Sequence, residues 1–335
     1  MILQSLMKNG IGIEMKKLTS TVVVALYNGE KFIIEQLDSI KNQTRMPDEV
    51  LICDDGSTDN SVEIVSNYLK KNNLKNWKIV ENPYNKGYAK NFIDMIDDAK
   101  YEIVFLSDQD DIWKSDKIEN MLSVMESNMQ VDLLSGANDF EVIEGKHSNV
   151  EVMETNTMKF NGSVEKVKQN KKNMHIQRSG CLMCVRKSFF NTIKNYWILD
   201  WAHDDFLWKY AMLNDSCFYL HKLTITRRLH NNNTSRNSSK KNRNKEARIL
   251  QLKKMIRQNN AVITYIDKNP RVSDEEDFFR MFNKAIENRI KFLKTKNIFL
   301  FFELAIVYRE YYPRIKGLFL DFGIAYLGEK ICQKF

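Results

Sequence analysis

The sequence predicts an α/β chain wound on a largely parallel sheet, and three observations carry that expectation. Short apolar runs rich in β-branched residues recur through the first hundred-odd positions, stretches of helical period separate them, and each run ends in a cluster of polar residues. Runs of this kind suit strands buried on both faces of a parallel sheet. Strand, helix, strand, helix, strand is the order in which a doubly wound sheet is built.

Taken along the chain, the first strand is Leu18 to Leu26 (LTSTVVVAL), and Ile33, Leu37 and Ile40 then mark one face of a helix. Val50 to Cys53 (VLIC) is the second strand. Asn60 followed by Glu63 predicts a capping box, with Ile64, Val65, Tyr68 and Leu69 as the apolar face of the helix it opens. Glu102 to Leu106 (EIVFL) is the third strand, and Ser115-Asp116 opens a helix with Ile118, Met121, Leu122 and Met125 inside. Val131 to Leu134 and Cys181 to Val185 read as further strands, with helices around Phe189 to Ile193 and Asp205 to Met212. Residues 144–176, rich in Lys and Asn, read as a loop or a poorly packed insertion, and residues 231–247 as a basic loop. The expected organisation is an N-terminal extension over 1–17, a main domain over 18–247 divided near 113, and a helical region over 248–335.

The net charge of +8 points to a negatively charged partner: nucleic acid, an anionic membrane surface or a nucleotide diphosphate. Five scattered cysteines argue against a disulfide framework and for a reducing compartment. Cys181 and Cys184 form a C-x-x-C without a second pair to complete a zinc site, and they read as buried thiols. Residues 1–14 lack the apolar stretch of a signal peptide, which makes Met15 the expected start. No stretch reaches the roughly 18 apolar residues that span a bilayer.

Ligands of such sheets bind beyond the carboxyl ends of the strands. Those ends carry Tyr27-Asn28-Gly29, Asp54-Asp55-Gly56-Ser57-Thr58-Asp59 and Ser107-Asp108-Gln109-Asp110-Asp111. Three carboxylates within four residues repel one another unless a cation or several donors neutralise them. Hard oxygen ligands suit Mg²⁺ or Mn²⁺ shared with substrate phosphates, whereas the plain alternative is a solvated acidic turn with Asp111 as a helix cap. Capping by Ser57 or Asp59 leaves Asp54 and Asp55 without a task. A carboxylate at a strand end can also accept from a pyrimidine imide or a ribose hydroxyl.

Together with Asn85-Lys86-Gly87, and in this order, these segments resemble the family 2 glycosyltransferases over about residues 18 to 235. The S-D-Q-D-D form followed by Ile112-Trp113 is similar to rhamnosyltransferase-like enzymes of bacterial surface polysaccharides. The resemblance implies a GT-A fold, with a mixed, mostly parallel sheet flanked by helices, and transfer with inversion. It further implies that Tyr27 flanks the nucleobase, that Asp55 binds the pyrimidine edge, and that Asp54 supports that contact or touches the ribose. By the same resemblance Lys86 or Lys90 lies near the ribose and diphosphate, and Ala25 and Gln109 line the donor site. Asp108 and Asp110 match the D-x-D, Asp110 being the direct metal ligand. A strand-end aromatic packed on the next helix is the plainer reading of Tyr27.

Trp201-Ala202-His203-Asp204-Asp205-Phe206-Leu207 resembles the family's acceptor-side motif, which makes Asp204 the general base and sets Trp201 and Asp205 beside the acceptor. A helix N-terminus made negative to complement its dipole is the competing reading of both carboxylates. Arg228-Leu229-His230 resembles the late R-x-H segment, with His230 completing the metal site and Arg228 neutralising the diphosphate. The loop after it, with Arg236, Lys240, Lys241 and Arg243, reads as a lid or as a basic linker. Ser179-Gly180-Cys181 resembles the small-residue segment on the acceptor side, where Gly180 lets backbone approach a sugar.

In the tail, Ile298 to Val307 and Ile315 to Leu327 are apolar but short, flanked by Lys291, Lys294, Lys296, Lys316 and Lys330. This fits a helix lying on an anionic membrane, or helices packed on the domain or on another subunit. The expectation is a cytoplasmic enzyme, peripheral at the inner face of the cell membrane and dependent on Mn²⁺ or Mg²⁺. It moves sugar from dTDP-rhamnose or a UDP-sugar to a glycan or lipid-linked glycan acceptor in capsule, O-antigen or cell-wall glycan synthesis. One alternative is a nucleotidyltransferase, although its usual Gly-rich loop is replaced here by Tyr27-Asn28-Gly29-Glu30. The other is a non-catalytic polyanion or polysaccharide binder. Basic residues concentrate in loops and tail while acidic ones gather at strand ends, so nucleic acid is not an expected partner.

Overall fold

The computed structural model describes residues 17–144, 160–171, 173–231, 233, 244–312 and 315–327. The proposed start at Met15, the lid residues Arg236, Lys240, Lys241 and Arg243, and Lys330 lie outside the described residues.

The first half alternates as expected: β1 (Ser20–Leu26), α1 (Ile33–Lys41), β2 (Glu49–Asp54), α2 (Ser61–Lys71), β3 (Trp77–Glu81), α3 (Tyr88–Asp98) and β4 (Ile103–Ser107). Then come β5 (Ile112–Trp113), α4 (Lys117–Ser127), β6 (Leu133–Val142), β7 (Val164–Lys166), β8 (Met183–Arg186), α5 (Lys187–Ile193), α6 (His203–Leu213) and β9 (Cys217–Leu229). Four helices complete the described chain: α7 (Lys245–Lys268), α8 (Glu276–Thr295), α9 (Ile298–Ile306) and α10 (Lys316–Tyr326).

The strands form one mixed sheet in the order β3-β2-β1-β4-β8-β6-β9-β5, with β7 also paired to β9. β3, β2, β1 and β4 are mutually parallel, β4 and β6 each run antiparallel to β8, and β6 runs parallel to β9. Along β1, Val23 faces one apolar cluster while Val22, Val24 and Leu26 face the other, all fully buried. This two-residue alternation explains why the run is apolar throughout, since neither face meets water.

The C-terminal helices are continuous with the core. Leu252, Tyr265, Phe279, Phe282, Leu300 and Leu304 belong to the same cluster as Phe206, Trp208 and Tyr210 of α6. Buried Asp321 of α10 accepts from Arg248 Nε at 2.7 Å and Arg289 Nε at 2.8 Å, tying α7, α8 and α10 together. Removing one member of such a buried charge cluster costs about 3 kcal/mol.

Four local expectations are corrected. The capping box does not form: the Asn60 side chain donates to Glu30 Oε2 at 3.0 Å, and Asp59 Oδ1 accepts from the Ser61 backbone at 3.0 Å. The strand expected from Cys181 begins at Met183, because Gly180–Leu182 forms a 3₁₀ turn packed on α6. Part of 144–176 is well packed, with β7 on the sheet and Val167 and Met174 in the core. β3 and β9 are strands that the apolar-run pattern passes over: β3 exposes three of its five residues on an edge, and β9 mixes charged with apolar positions.

Candidate active site

At the end of β1 the chain turns through Tyr27, which is half exposed, and Asn28, whose φ of 48° is left-handed. The Asn28 backbone donates to Ser57 Oγ at 2.9 Å, and its side-chain oxygen accepts from the Thr58 backbone at 2.8 Å. Gln109 clamps the same turn: its Oε1 accepts from Tyr27 N at 2.8 Å and its Nε2 donates to Tyr27 O at 2.9 Å. Both ends of its amide are engaged, so Gln109 fixes the shape of this turn. A Cβ on Gly29 would stand 2.5 Å from Gln109 Oε1, which is why that position carries no side chain.

Asp54 and Asp55 have distinct tasks. Asp54 accepts from the Gly56 and Ser57 backbones at 3.0 and 2.9 Å and from the Ser57 hydroxyl, fixing its own loop. Asp55 reaches across to the next loop. Its Oδ1 accepts from Lys86 N at 2.8 Å and Asn82 Nδ2 at 3.0 Å, and its Oδ2 from Gly87 N at 2.8 Å. A carboxylate offers about four acceptor positions, so Asp55 can hold this loop and still receive one more donor. Lys86 Nζ and Lys90 Nζ both pair with Asp94. Ala25, partly exposed near the end of β1, lies in register with Cys53 of β2.

β4 delivers Asp108, Asp110 and Asp111. Burial, then repulsion by Asp110, pushes Asp108 up to about 6; burial, then Asp108, pushes Asp111 up to about 7. Asp110 is met from the far side of the fold. His230 Nε2 lies 2.9 Å from Asp110 Oδ2, Asn233 Nδ2 donates to that oxygen at 3.2 Å, and Arg228 Nε donates to the Asp110 carbonyl at 2.6 Å. The His230 ring stacks on Phe32 at 4.5 Å between centroids.

The donor types at Asp108, Asp110 and His230 fit a divalent cation. His230 Nε2 and Asp110 Oδ2 stand at the 2.9 Å of a direct hydrogen bond. A second group, Asp108, Asp111 and Cys181, brings its ligand atoms within 4.8 Å of one another. It suits Mg²⁺ or Mn²⁺ less well by donor type, since a thiol is a soft ligand beside two hard carboxylates.

Asp204 lies in the first turn of α6. Burial, then the neighbouring Asp205, raises its carboxyl to about 6, and the Asp205 backbone donates to its Oδ1 at 2.8 Å. Asp205 is engaged elsewhere, accepting from Trp201 Nε1 at 2.7 Å and Lys209 Nζ at 3.2 Å, which holds it below the usual carboxylate range despite burial. The pair is therefore divided into one carboxylate poised near neutrality and one locked in structure. Trp201, expected on the acceptor side, is fully buried and acts by orienting Asp205. Its side chain offers no surface to an acceptor.

Gly180 packs directly against the first turn of α6. A Cβ there would lie 2.5 Å from His203 Nε2 and 3.2 Å from Asp204 Cβ. The His203 ring stacks on Phe92 at 4.0 Å, and Tyr88 meets it edge-on at 5.9 Å. Behind this wall, buried Lys117 donates to the Cys181 carbonyl at 2.9 Å and lies 3.6 Å above the Trp113 ring.

Arg228, expected at the diphosphate, is instead structural. Its side chain is 2% exposed and is tied to Glu35, the Phe32 carbonyl and the Asp110 carbonyl. Its neighbour Arg227 is the guanidinium near Asp108, Asp110 and Asp111, and donates to Ser179 Oγ at 3.4 Å. Adjacent strand residues point to opposite faces, so this exchange follows directly once β9 is known to be a strand. Neither Tyr88 nor Asn233 is given a role by the sequence pattern. Tyr88 is half exposed at the start of α3, within the electrostatic reach of Asp204 and Asp108.

The sequence model of glycosyl transferase family 2 matches residues 21–191, just over half of the 335-residue chain. The chain belongs to glycosyl transferase family 2. Among its relatives is the dTDP-rhamnosyl transferase RfbG of Shigella flexneri, 38% identical over 109 residues, which span 31% of this chain and 37% of that protein. The glycosyltransferase GlyG of Streptococcus pneumoniae serotype 4 is 34% identical over 136 residues, 41% of each chain. The matches thus span about two fifths of these relatives' length. The crystal structure of S. aureus TarS 1–349 in complex with UDP-GlcNAc superposes with a TM-score of 0.56 at 17% identity, over 95% of this chain and 92% of that one. The architecture is the GT-A fold, a mixed sheet flanked by helices with a helical C-terminal region. Among the described residues, no helix is long and apolar enough to cross a membrane.

Proposed function

We propose that this chain moves a sugar from a nucleotide-sugar donor, dTDP-rhamnose or a UDP-sugar, to an acceptor hydroxyl with inversion at the anomeric carbon, in the synthesis of a bacterial surface polysaccharide. The observation that carries the reading is the pairing of a poised base with a cation-type site. Asp204 stands among charged neighbours that include Asp108, with its carboxyl raised to about 6. The Asp110–His230 contact belongs to the same aspartate segment as Asp108.

In this reading Tyr27 and Asp55 flank the base, with Asp54 shaping the loop between them. Lys86 and Arg227 face the phosphates. Asp108, Asp110 and His230 would hold Mn²⁺ or Mg²⁺, which when bound offsets the charge developing on the departing diphosphate. Asp204 takes the proton of the attacking hydroxyl, and its partial burial keeps that proton transfer nearly matched at neutral pH. Gly180 lets the backbone lie close against Asp204 and His203 at the start of α6. No covalent intermediate is needed. The acceptor is a glycan or a lipid-linked glycan, approached from the cytoplasmic face of the membrane.

The test is a binding and donor-hydrolysis screen with Mn²⁺ or Mg²⁺ across dTDP-rhamnose, UDP-glucose, UDP-galactose, UDP-N-acetylglucosamine and GDP-mannose. Wild type is compared with Asp110→Ala and Asp204→Asn. One donor bound in a metal-dependent way, lost in Asp110→Ala and bound but not transferred by Asp204→Asn, is the expected outcome. Failure of folded wild type to bind any of these nucleotides would overturn the reading.

A further inference from the structure

We infer that α9 and α10 form an interfacial anchor, with Phe299, Phe302 and Ile306 entering the headgroup region of an anionic lipid surface. This rests on the C-terminal helices alone and is independent of the transferase reading. α9 has two faces of unlike fate. Leu300 and Leu304, four residues apart, are buried against the core. Phe299, Phe302 and Ile306, spaced three and four apart on one helix face, are 80%, 55% and 78% exposed. On α10, Leu318 and Ile324 are likewise buried while Phe319 stands 62% exposed. The inner faces explain why these helices are apolar inside; nothing in the packing explains the outer stripe. A contiguous exposed stripe of large apolar side chains marks an interaction surface.

The charge around the stripe selects its occupant. Lys291, Lys294 and Lys296 are exposed where α8 ends, as are Arg309 after α9 and Lys316 at the start of α10. The acids of α9 and the turn after it are engaged: Glu303 accepts from Asn288 Nδ2 at 3.2 Å, and Glu310 pairs with Lys171. A second copy of the chain would bring the same cations against these, within a protein whose net charge is already +8. An anionic bilayer supplies both an apolar layer for the aromatic stripe and negative headgroups for the basic border.

Flotation of the full chain with vesicles tests this, using phosphatidylcholine alone and phosphatidylcholine mixed with phosphatidylglycerol. Wild type is expected to float with the mixed vesicles and to be released by salt. The exposed-face variant Phe299→Ser/Phe302→Ser/Ile306→Ser should lose binding by about tenfold or more, while its circular dichroism and donor binding match wild type. Lys294→Glu/Lys296→Glu/Lys316→Glu should show the same loss with the aromatic stripe intact. Equal flotation of wild type and both variants would overturn the proposal. So would a wild type that fails to float and sediments as a dimer which the serine variant converts to monomer, since the stripe would then be covered by a second copy.

Discussion

His230 and Asp110 lie 120 positions apart in the chain, yet the imidazole Nε2 is 2.9 Å from the carboxylate Oδ2. β9 makes the contact by running the length of the sheet and releasing the chain at Leu229, beside the loop that follows β4. Asn233 closes the arrangement by donating to the same carboxylate oxygen. If this pair holds a cation, His230→Ala should weaken Mn²⁺ binding by about tenfold or more and lower donor affinity in step. Isothermal titration with Mn²⁺ alone and then with nucleoside diphosphate separates the two effects. Unchanged Mn²⁺ affinity would remove His230 from the ligand set.

The carboxylates set a pH dependence of definite sign. Burial, then Asp205, raises Asp204 to about 6 in the folded chain, and a general base works only when deprotonated. Turnover at saturating metal and donor should therefore be level above pH 7 and fall about tenfold per unit below pH 6. Stability runs the other way. Asp108, Asp111 and Asp204 all have folded values above their ordinary 3.8, so their contribution is fully present below that value and is lost as pH rises through about 6 to 7. Thermal melts without metal should show a decline over that window. Added Mn²⁺ should restore more stability at pH 8 than at pH 5.

Gly180 leaves no room for a side chain against α6. In Gly180→Ala the new methyl must displace His203 or Asp204, given the 2.5 Å and 3.2 Å approaches. The expected cost is about 1–3 kcal/mol of stability, with a fall in kcat of about a hundredfold while donor affinity stays close to wild type. A loss confined to donor affinity would place Gly180 outside the acceptor site.

The two adjacent arginines should behave oppositely. Arg228→Ala removes a buried guanidinium bound to Glu35 and to two carbonyls, so it should destabilise the fold by about 3 kcal/mol. Arg227→Ala should cost the fold less, since among the described residues its guanidinium makes a long 3.4 Å hydrogen bond to Ser179 Oγ and a contact to the Phe140 ring, and should instead raise KM for the donor. Denaturant melts and donor titrations on the pair distinguish these outcomes, and the reverse pattern would return the phosphate role to Arg228.

The Arg227–Arg228 exchange shows where the sequence stops being legible. The apolar runs of β1, β2 and β4 declare themselves because both of their faces are buried, and the acidic segments after them are found simply by where those runs end. β9 makes no such declaration. It carries charged residues beside apolar ones, so its two-residue alternation is hidden, and with it the face on which each arginine lies. The same holds for Trp201, whose aromatic character says nothing about whether it meets a ligand or, as here, is fully buried and orients Asp205.

The sequence by itself determined the α/β class, the family and the identity of the carboxylates gathered at the strand ends, because burial and strand-end chemistry act over a few neighbouring residues. Tertiary structure alone decided which of those groups remain free to react. Asp54, Gln109, Asp205 and Arg228 are already bound to other parts of the fold, whereas Asp204 is held near neutrality by burial and Asp110 is met by His230. Gln109 and Arg228 are engaged by partners 82 and 193 positions away, which no local pattern encodes, while Asp54 and Asp205 are held by neighbours within four positions whose geometry only the folded turn fixes.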